Sequence, residues 1–188
     1  MIPKNISGFL FDLDGVFTIE NSVIPGAVDV IHKLNAESIP FRFVTNTTMC
    51  SRVSLFQKLK DLNFGVKETN IISANYAGVL KLREMGSPSC YLALLPDAQK
   101  DYAEFEQNEK PEVVIIGDLG KEWTFERMNN IFRMVMNGSE ILALHKGKYY
   151  QVENGLQLDT GAIITGIEYA SGKQAITVGK PVEEFFNL

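Results

Sequence analysis

Short apolar runs, each ending in a polar or glycine-containing loop and followed by a segment of helical period, recur along the first part of the chain. Ile6 to Phe11 is one such run, stopped by Asp12-Leu13-Asp14-Gly15, the pattern of a parallel strand buried on both faces that enters a loop at its carboxyl end. Pro25-Gly26 opens a segment that sets Val28, Ile31 and Leu34 on one helical face, and Pro40 precedes a second strand, Phe41 to Val44. Strand, helix, strand in this order predicts a parallel crossover unit. The second strand ends at Thr45-Asn46-Thr47-Thr48, after which Ser51 is placed to cap a helix carrying Leu55, Leu59 and Leu62, stopped by Gly65. Ile71-Ile72 predicts a third strand, and Ser73 starts a helix with Val79, Leu80 and Leu82.

After Gly86 the pattern restarts. Strands are predicted over Cys90 to Leu95, Glu112 to Ile116 and Ile141 to Leu144. Before the last of these, Thr124 begins a helix that turns Met128, Ile131, Phe132 and Val135 inward and stops at Asn137-Gly138. Trp123, Phe125, Phe132 and Met128, Met134 and Met136 fit helical packing and call for no cofactor. A turn at Lys146-Gly147-Lys148, a helical stretch from Gly161 to Tyr169 and the run Ala175 to Pro181 complete the segment. The restart predicts an α/β protein in which residues 73–171 form a second α/β domain inserted into a parallel-sheet domain of residues 1–72 and 172–188, with Gly172-Lys173 as the return hinge.

Composition narrows the function classes. With 45% hydrophobic and 22% charged residues the chain is globular rather than disordered. A net charge of −5 and 18 scattered basic residues argue against a nucleic-acid partner, whose binding needs clustered Lys and Arg. The apolar stretch before Asp12 is too short for a signal-peptide core or a membrane span, so no membrane partner and a cytoplasmic location are expected. Cys50 and Cys90 lack a CxxC pair or a histidine at ligand spacing and read as two buried thiols.

Two aspartates at i and i+2 beyond a strand can point to the same side, and Gly15 permits the turn that brings them to one substrate. Asp12 is then suited to attack phosphorus and form an aspartyl-phosphate, and Asp14 to protonate the leaving oxygen and activate water. Two anions facing a phosphate call for a hard cation, and carboxylate and carbonyl oxygens suit magnesium, so metal dependence is predicted. A calcium loop fails, because Val16, Phe17, Thr18 and Ile19 follow Gly15; a solvated turn is the other reading of the motif. Thr45 and Asn46 end the neighbouring strand, where a hydroxyl and an amide can bind phosphoryl oxygens; alone they read equally as a polar turn. Lys180, in Val178-Gly179-Lys180-Pro181, is a cation suited to neutralise Asp12 and phosphate together.

In combination, Phe11-Asp12-Leu13-Asp14-Gly15-Val16, Val44-Thr45-Asn46-Thr47-Thr48 and Val178-Gly179-Lys180-Pro181 resemble motifs I, II and III of the haloacid dehalogenase superfamily. The long insertion between motifs II and III resembles the C2 cap of its subfamily IIA. The resemblance implies a Rossmann-like core, Asp12 as nucleophile and magnesium ligand, Asp14 as general acid and base whose carbonyl also meets the metal, Thr45 and Asn46 as phosphate binders, and Lys180 as stabiliser of the phosphoryl group. It implies a small phosphorylated metabolite as substrate, and a homodimer, since such caps take part in dimers.

The superfamily's fourth motif, an acidic pair after motif III, is not met before Leu188. The expectation is therefore a C-terminally incomplete core with weak or no phosphatase activity and a bared strand edge. Gly117-Asp118 mimics that motif but precedes Lys180, so Asp118 is read as a cap loop residue reaching toward substrate, or as a surface turn. His145 and Lys146 suit a second anionic group on the substrate, or form a surface pair at a hairpin. Two other functions stay open: a phosphomutase, and a noncatalytic interaction module.

Overall fold

The protein is described by a computed structural model covering residues 6–19, 22–152 and 155–188. The chain divides into two compact units, Met1–Thr45 with Arg52–Ser73, and Asn46–Ser51 with Ala74–Leu188.

The first unit runs β1 (Phe9–Phe11), the hairpin strands β2 (Thr18–Ile19) and β3 (Ser22–Val23), α1 (Ala27–Ala36), β4 (Phe41–Thr45), α2 (Arg52–Asp61) and β5 (Ile71–Ser73). Strands β1, β4 and β5 form a parallel sheet in the order β1-β4-β5, with Phe9 opposite Phe41 and Phe43 opposite Ile71. One face of that sheet is aromatic. Phe43 is fully buried and meets Phe17 at 5.2 Å, Phe41 at 5.8 Å and Phe64 at 6.0 Å between ring centroids, in edge-on arrangements that suit the ring quadrupoles. From α1 the buried Ile31 and Leu34 join this core together with Ala27, and α2 adds Leu55 and Leu59.

The first strand departs from expectation. It spans three residues rather than six, and it is packed on one face only. Leu10, opposite Arg42 in the ladder, is 52% exposed, and Arg42 is exposed as well. The period of two along a strand sends these side chains away from the phenylalanines, onto a face that no described element covers there.

The second unit contains α3 (Ala74–Glu84), β6 (Cys90–Ala93), β7 (Val113–Ile116), α4 (Phe125–Met136), β8 (Glu140–Ala143), β9 (Tyr149–Val152), β10 (Gly155–Leu158), α5 (Thr160–Ser171) and β11 (Ile176–Thr177). Its four-stranded parallel sheet has the order β11-β8-β7-β6, and β9 and β10 form a separate antiparallel hairpin that the hydrophobic pattern did not announce. Ile131 and Val135 of α4, Ile164 and Ile167 of α5 and Val114, Ile116 and Ile141 of the sheet make a continuous buried core. Thr124 caps α4 as its position implies, accepting the Arg127 N–H at 3.1 Å.

Gly172 is the left-handed cap of α5, at φ 70°, and the chain beyond it pairs Ile176 with Leu142 of β8. Two expectations are altered here. Phe125 and Met136 are 76% and 55% exposed, because α4 turns Ile131 and Val135 inward and leaves its ends outward. Cys50 is half-buried; Cys90 is buried, and burial pushes its thiol up to about 11.

Truncating Phe43 to alanine removes the ring that joins β4 to three aromatic neighbours, and should cost about 3–5 kcal/mol in urea unfolding. Thr124→Ala should cost only about 1 kcal/mol in the same measurement.

Candidate active site

In the first unit, chemistry begins where β1 stops. Leu13 is 1% exposed and anchors the turn from inside, and its carbonyl accepts the N–H groups of Phe17 at 2.9 Å and Thr18 at 3.1 Å. Gly15, at φ 79°, closes the turn by donating to the Thr18 carbonyl at 2.7 Å, a conformation costly for any residue with a Cβ. With Leu13 driven inward, Asp12 and Asp14 on either side of it are exposed. Asp12 Oδ1 accepts the Leu13 N–H at 2.9 Å, which orients the carboxylate. Strand β4 lies beside β1 and ends with Thr45, 1% exposed, whose hydroxyl donates to Asp14 Oδ2 at 3.2 Å. The first and second motifs are thus joined as their places at adjacent strand ends implied.

In the second unit the link runs between motifs II and III. Asn46 Oδ1 accepts the Lys180 N–H at 2.8 Å, and Asn46 Nδ2 donates to the Lys180 carbonyl at 3.0 Å. One carboxamide thus pairs both the N–H and the carbonyl of one residue, in the loop that continues β11. Gly179 makes this approach sterically feasible: a Cβ there would sit 2.7 Å from Asn46 Oδ1 and would also run into the Leu144 carbonyl. Asn46, expected on the phosphoryl group, directs its side chain to the Lys180 backbone. Thr48, from the same loop, accepts the Asp118 N–H at 2.8 Å.

Asp118 and His145 follow β7 and β8, whose register pairs Ile116 with Ala143, so each lies two residues beyond a matched pair at the carboxyl end of the sheet. Asp118 Oδ1 accepts the Gly120 N–H at 2.7 Å. His145 is not a surface residue: it is 5% exposed, and burial holds its imidazole below the usual range although Asp159 and Asp118 pull it upward. Its Nδ1 accepts the Gly147 N–H at 3.2 Å and lies 3.8 Å from Asp159 Oδ2, the geometry of a neutral ring. Lys146 does not stand free for a substrate anion. Its ammonium lies 2.7 Å from Glu168 Oε2. Burial pushes the Glu168 carboxyl up, but the bonds from Lys146 and from the Ala175 N–H at 2.9 Å outweigh it and leave the group below its ordinary value.

Tyr150 and Asp159 join this cluster and were not anticipated. The Tyr150 hydroxyl accepts from Gln157 Nε2 at 2.6 Å across the β9–β10 hairpin, and Asp159 caps α5 by accepting the Thr160 N–H at 2.7 Å. Asp159 was legible as a helix cap, since an aspartate precedes the helical stretch; its approach to His145 depends on a tight turn. Gly147 allows that turn, because a Cβ there would collide with the Asp159 carboxylate.

For a divalent cation the donor set is hard oxygen only, at Asp12 and Asp14. Among the described residues no group of three or more His, Cys, Asp or Glu side chains gathers at one point. Magnesium takes one or two carboxylates from a protein and keeps several waters, so this pair fits it.

Gly179→Ala should break the Asn46–Lys180 bonds and lower the melting temperature, an effect that Gly166→Ala, where a Cβ meets only open space, should not share. Glu168, charged and bonded in the fold, contributes stability that is complete above the ordinary carboxylate range and is lost as pH falls through its lowered folded value. Glu168→Gln should flatten that acid limb in melting temperatures recorded against pH.

Comparison with known proteins agrees with this arrangement. A family model described as haloacid dehalogenase-like hydrolase matches residues 9–108. Haloacid dehalogenase-like hydrolase domain-containing protein 2 of Mus musculus is 33% identical over 185 residues, covering 97% of this chain and 70% of that protein. Phospholysine phosphohistidine inorganic pyrophosphate phosphatase of Xenopus laevis is 33% identical over 189 residues, covering 97% and 67%. The solved p-nitrophenyl phosphatase from Archaeoglobus fulgidus superposes with a TM-score of 0.89 at 25% identity, covering 96% of this chain and 71% of that one. Paired aspartates after a first parallel strand, a threonine bound to the second of them from the next strand, and a lysine loop held by the following asparagine accompany these similarities: the chain belongs to the haloacid dehalogenase-like hydrolases and is an enzyme of that family.

Proposed function

We propose that this chain is a magnesium-dependent phosphatase that hydrolyses a small phosphorylated metabolite through an aspartyl-phosphate on Asp12. The observation that carries the reading is the Thr45 hydroxyl bond to Asp14 at 3.2 Å, at the carboxyl ends of adjacent parallel strands, with Asp12 exposed two residues before Asp14. The names of two of the similar proteins, both phosphatases, support it.

Asp12 attacks phosphorus, forming a carboxyl–phosphate bond as the ester oxygen leaves, and Asp14 gives that oxygen its proton. Asp14 then takes a proton from water, which attacks phosphorus and returns Asp12 as a carboxylate. Thr45 orients Asp14 by donating to Oδ2, leaving the other oxygen to handle the proton. Lys180 offsets the charge on the phosphoryl group, and Asn46 holds the backbone that carries it. Asp12 and Asp14 would hold magnesium, which when bound would supply the charge neutralisation that lets two anions meet. In this reading residues 1–72 and 172–188 are the phosphoryl-transfer core and residues 73–171 the cap, contributing Asp118 and His145 to substrate selection.

Phosphate release from p-nitrophenyl phosphate with magnesium tests this reading, alongside trapping of beryllium fluoride. Asp12→Asn should abolish both, with turnover falling by roughly 10⁴-fold or more. Thr45→Val should lower kcat more than it raises KM, since it disturbs Asp14 rather than ground-state binding. A wild-type signal that survives Asp12→Asn would refute the proposal, and conversion of a sugar phosphate to its isomer without phosphate release would point to a mutase.

A further inference from the structure

The polar cluster at the carboxyl end of the second unit's sheet has a charge pattern opposite to that expected from residues 145 and 146 alone. Lys146 is committed to Glu168 at 2.7 Å, and Glu168 is 5% exposed, so this pair presents no net positive charge. His145 is buried and accepts a backbone N–H on Nδ1, which keeps the imidazole uncharged. What remains is acidic: Asp118, half-buried beside His145 by strand register, and Asp159, held against the Gly147 turn with its side chain 14% exposed. Both carboxylates act on His145 and on the Tyr150 hydroxyl, which places all four groups within electrostatic reach of one another. Thr160, next to Asp159, is 2% exposed, and its hydroxyl finds no hydrogen-bond partner among the described residues. The nearby Lys121 and Lys148 are exposed, where solvent screens their charge. Lys180 is the cation that the phosphoryl group itself requires.

We infer that Asp118, His145, Tyr150 and Asp159 form a specificity determinant that admits a leaving group carrying a hydroxyl or an ammonium and rejects one carrying a second anion. The inference rests on the phosphatase reading, and on residues 73–171 serving as its cap. Two partly desolvated carboxylates repel a substrate carboxylate or second phosphate, and a neutral imidazole offers it no compensating charge. A hydroxyl or ammonium instead finds acceptors in the same groups.

The test compares kcat/KM, with magnesium, for three two-carbon phosphate monoesters that differ only in the far group: ammonium in phosphoethanolamine, hydroxyl in ethylene glycol phosphate, carboxylate in phosphoglycolate. p-Nitrophenyl phosphate is run alongside. The carboxylate ester should fall at least roughly tenfold below the other two. In the double variant Asp118→Asn, Asp159→Asn this ratio should collapse toward one. Asparagine keeps an acceptor for the Gly120 N–H and for the start of α5, and a ratio within one variant is independent of the fraction folded. Equal or faster turnover of the carboxylate ester, or a ratio the double variant leaves unchanged, overturns the inference, while hydrolysis of p-nitrophenyl phosphate leaves the phosphatase reading in place. Failure to hydrolyse any ester sinks the phosphatase reading instead; calorimetric binding of the same three esters then decides, weaker binding of the carboxylate ester supporting the selectivity and equal or tighter binding overturning it.

Discussion

Asn46 stands at the point where a parallel strand has ended and its backbone can no longer pair with a neighbour. Its carboxamide takes over that function for another segment, accepting from the Lys180 N–H at 2.8 Å and donating to the Lys180 carbonyl at 3.0 Å. Two hydrogen bonds, to the N–H and the carbonyl of one residue, fix both its position and its orientation, which a single bond cannot do. Lys180, far away in sequence, is thereby set against the loop that begins at Asn46, and Gly179 is required because any side chain at that position would occupy the space of the amide.

The same logic of strand ends governs the acidic turn. A buried Leu13 flanked by two exposed aspartates is a consequence of the period of two, and the aromatic face beneath it anchors β1 and β4 side by side so that Thr45 reaches Asp14. Packing energy and catalytic geometry are therefore coupled at the phenylalanine cluster: the rings stabilise the sheet, and the sheet register sets which hydroxyl meets which carboxylate.

In the second unit, electrostatics rather than packing carries the functional information. A lysine and a histidine adjacent in sequence invite the reading of an anion site, yet one is neutralised by a buried carboxylate and the other is kept uncharged by burial. The substrate preference proposed for this cluster rests on these tertiary partners, because charge is a property of the surroundings as much as of the residue type.

Alternating apolar and polar segments, glycine positions and the spacing of Asp12, Asp14, Thr45 and Lys180 were enough to read an α/β protein with strand-end chemistry. Those features are local: a strand's period, a turn's need for positive φ and a cap's hydrogen bond involve residues within a few positions of one another. The Thr124 cap and the third strand at Ile71 were legible for that reason. Only the folded chain decided that Asn46 serves the Lys180 backbone, that Lys146 serves Glu168, that Ile176 extends the second unit's sheet beside Leu142, and that Leu10 and Arg42 share an open face. Each of these depends on which segments, remote along the chain, are brought together, and hydrogen-bond satisfaction and burial are settled there rather than in any stretch of sequence.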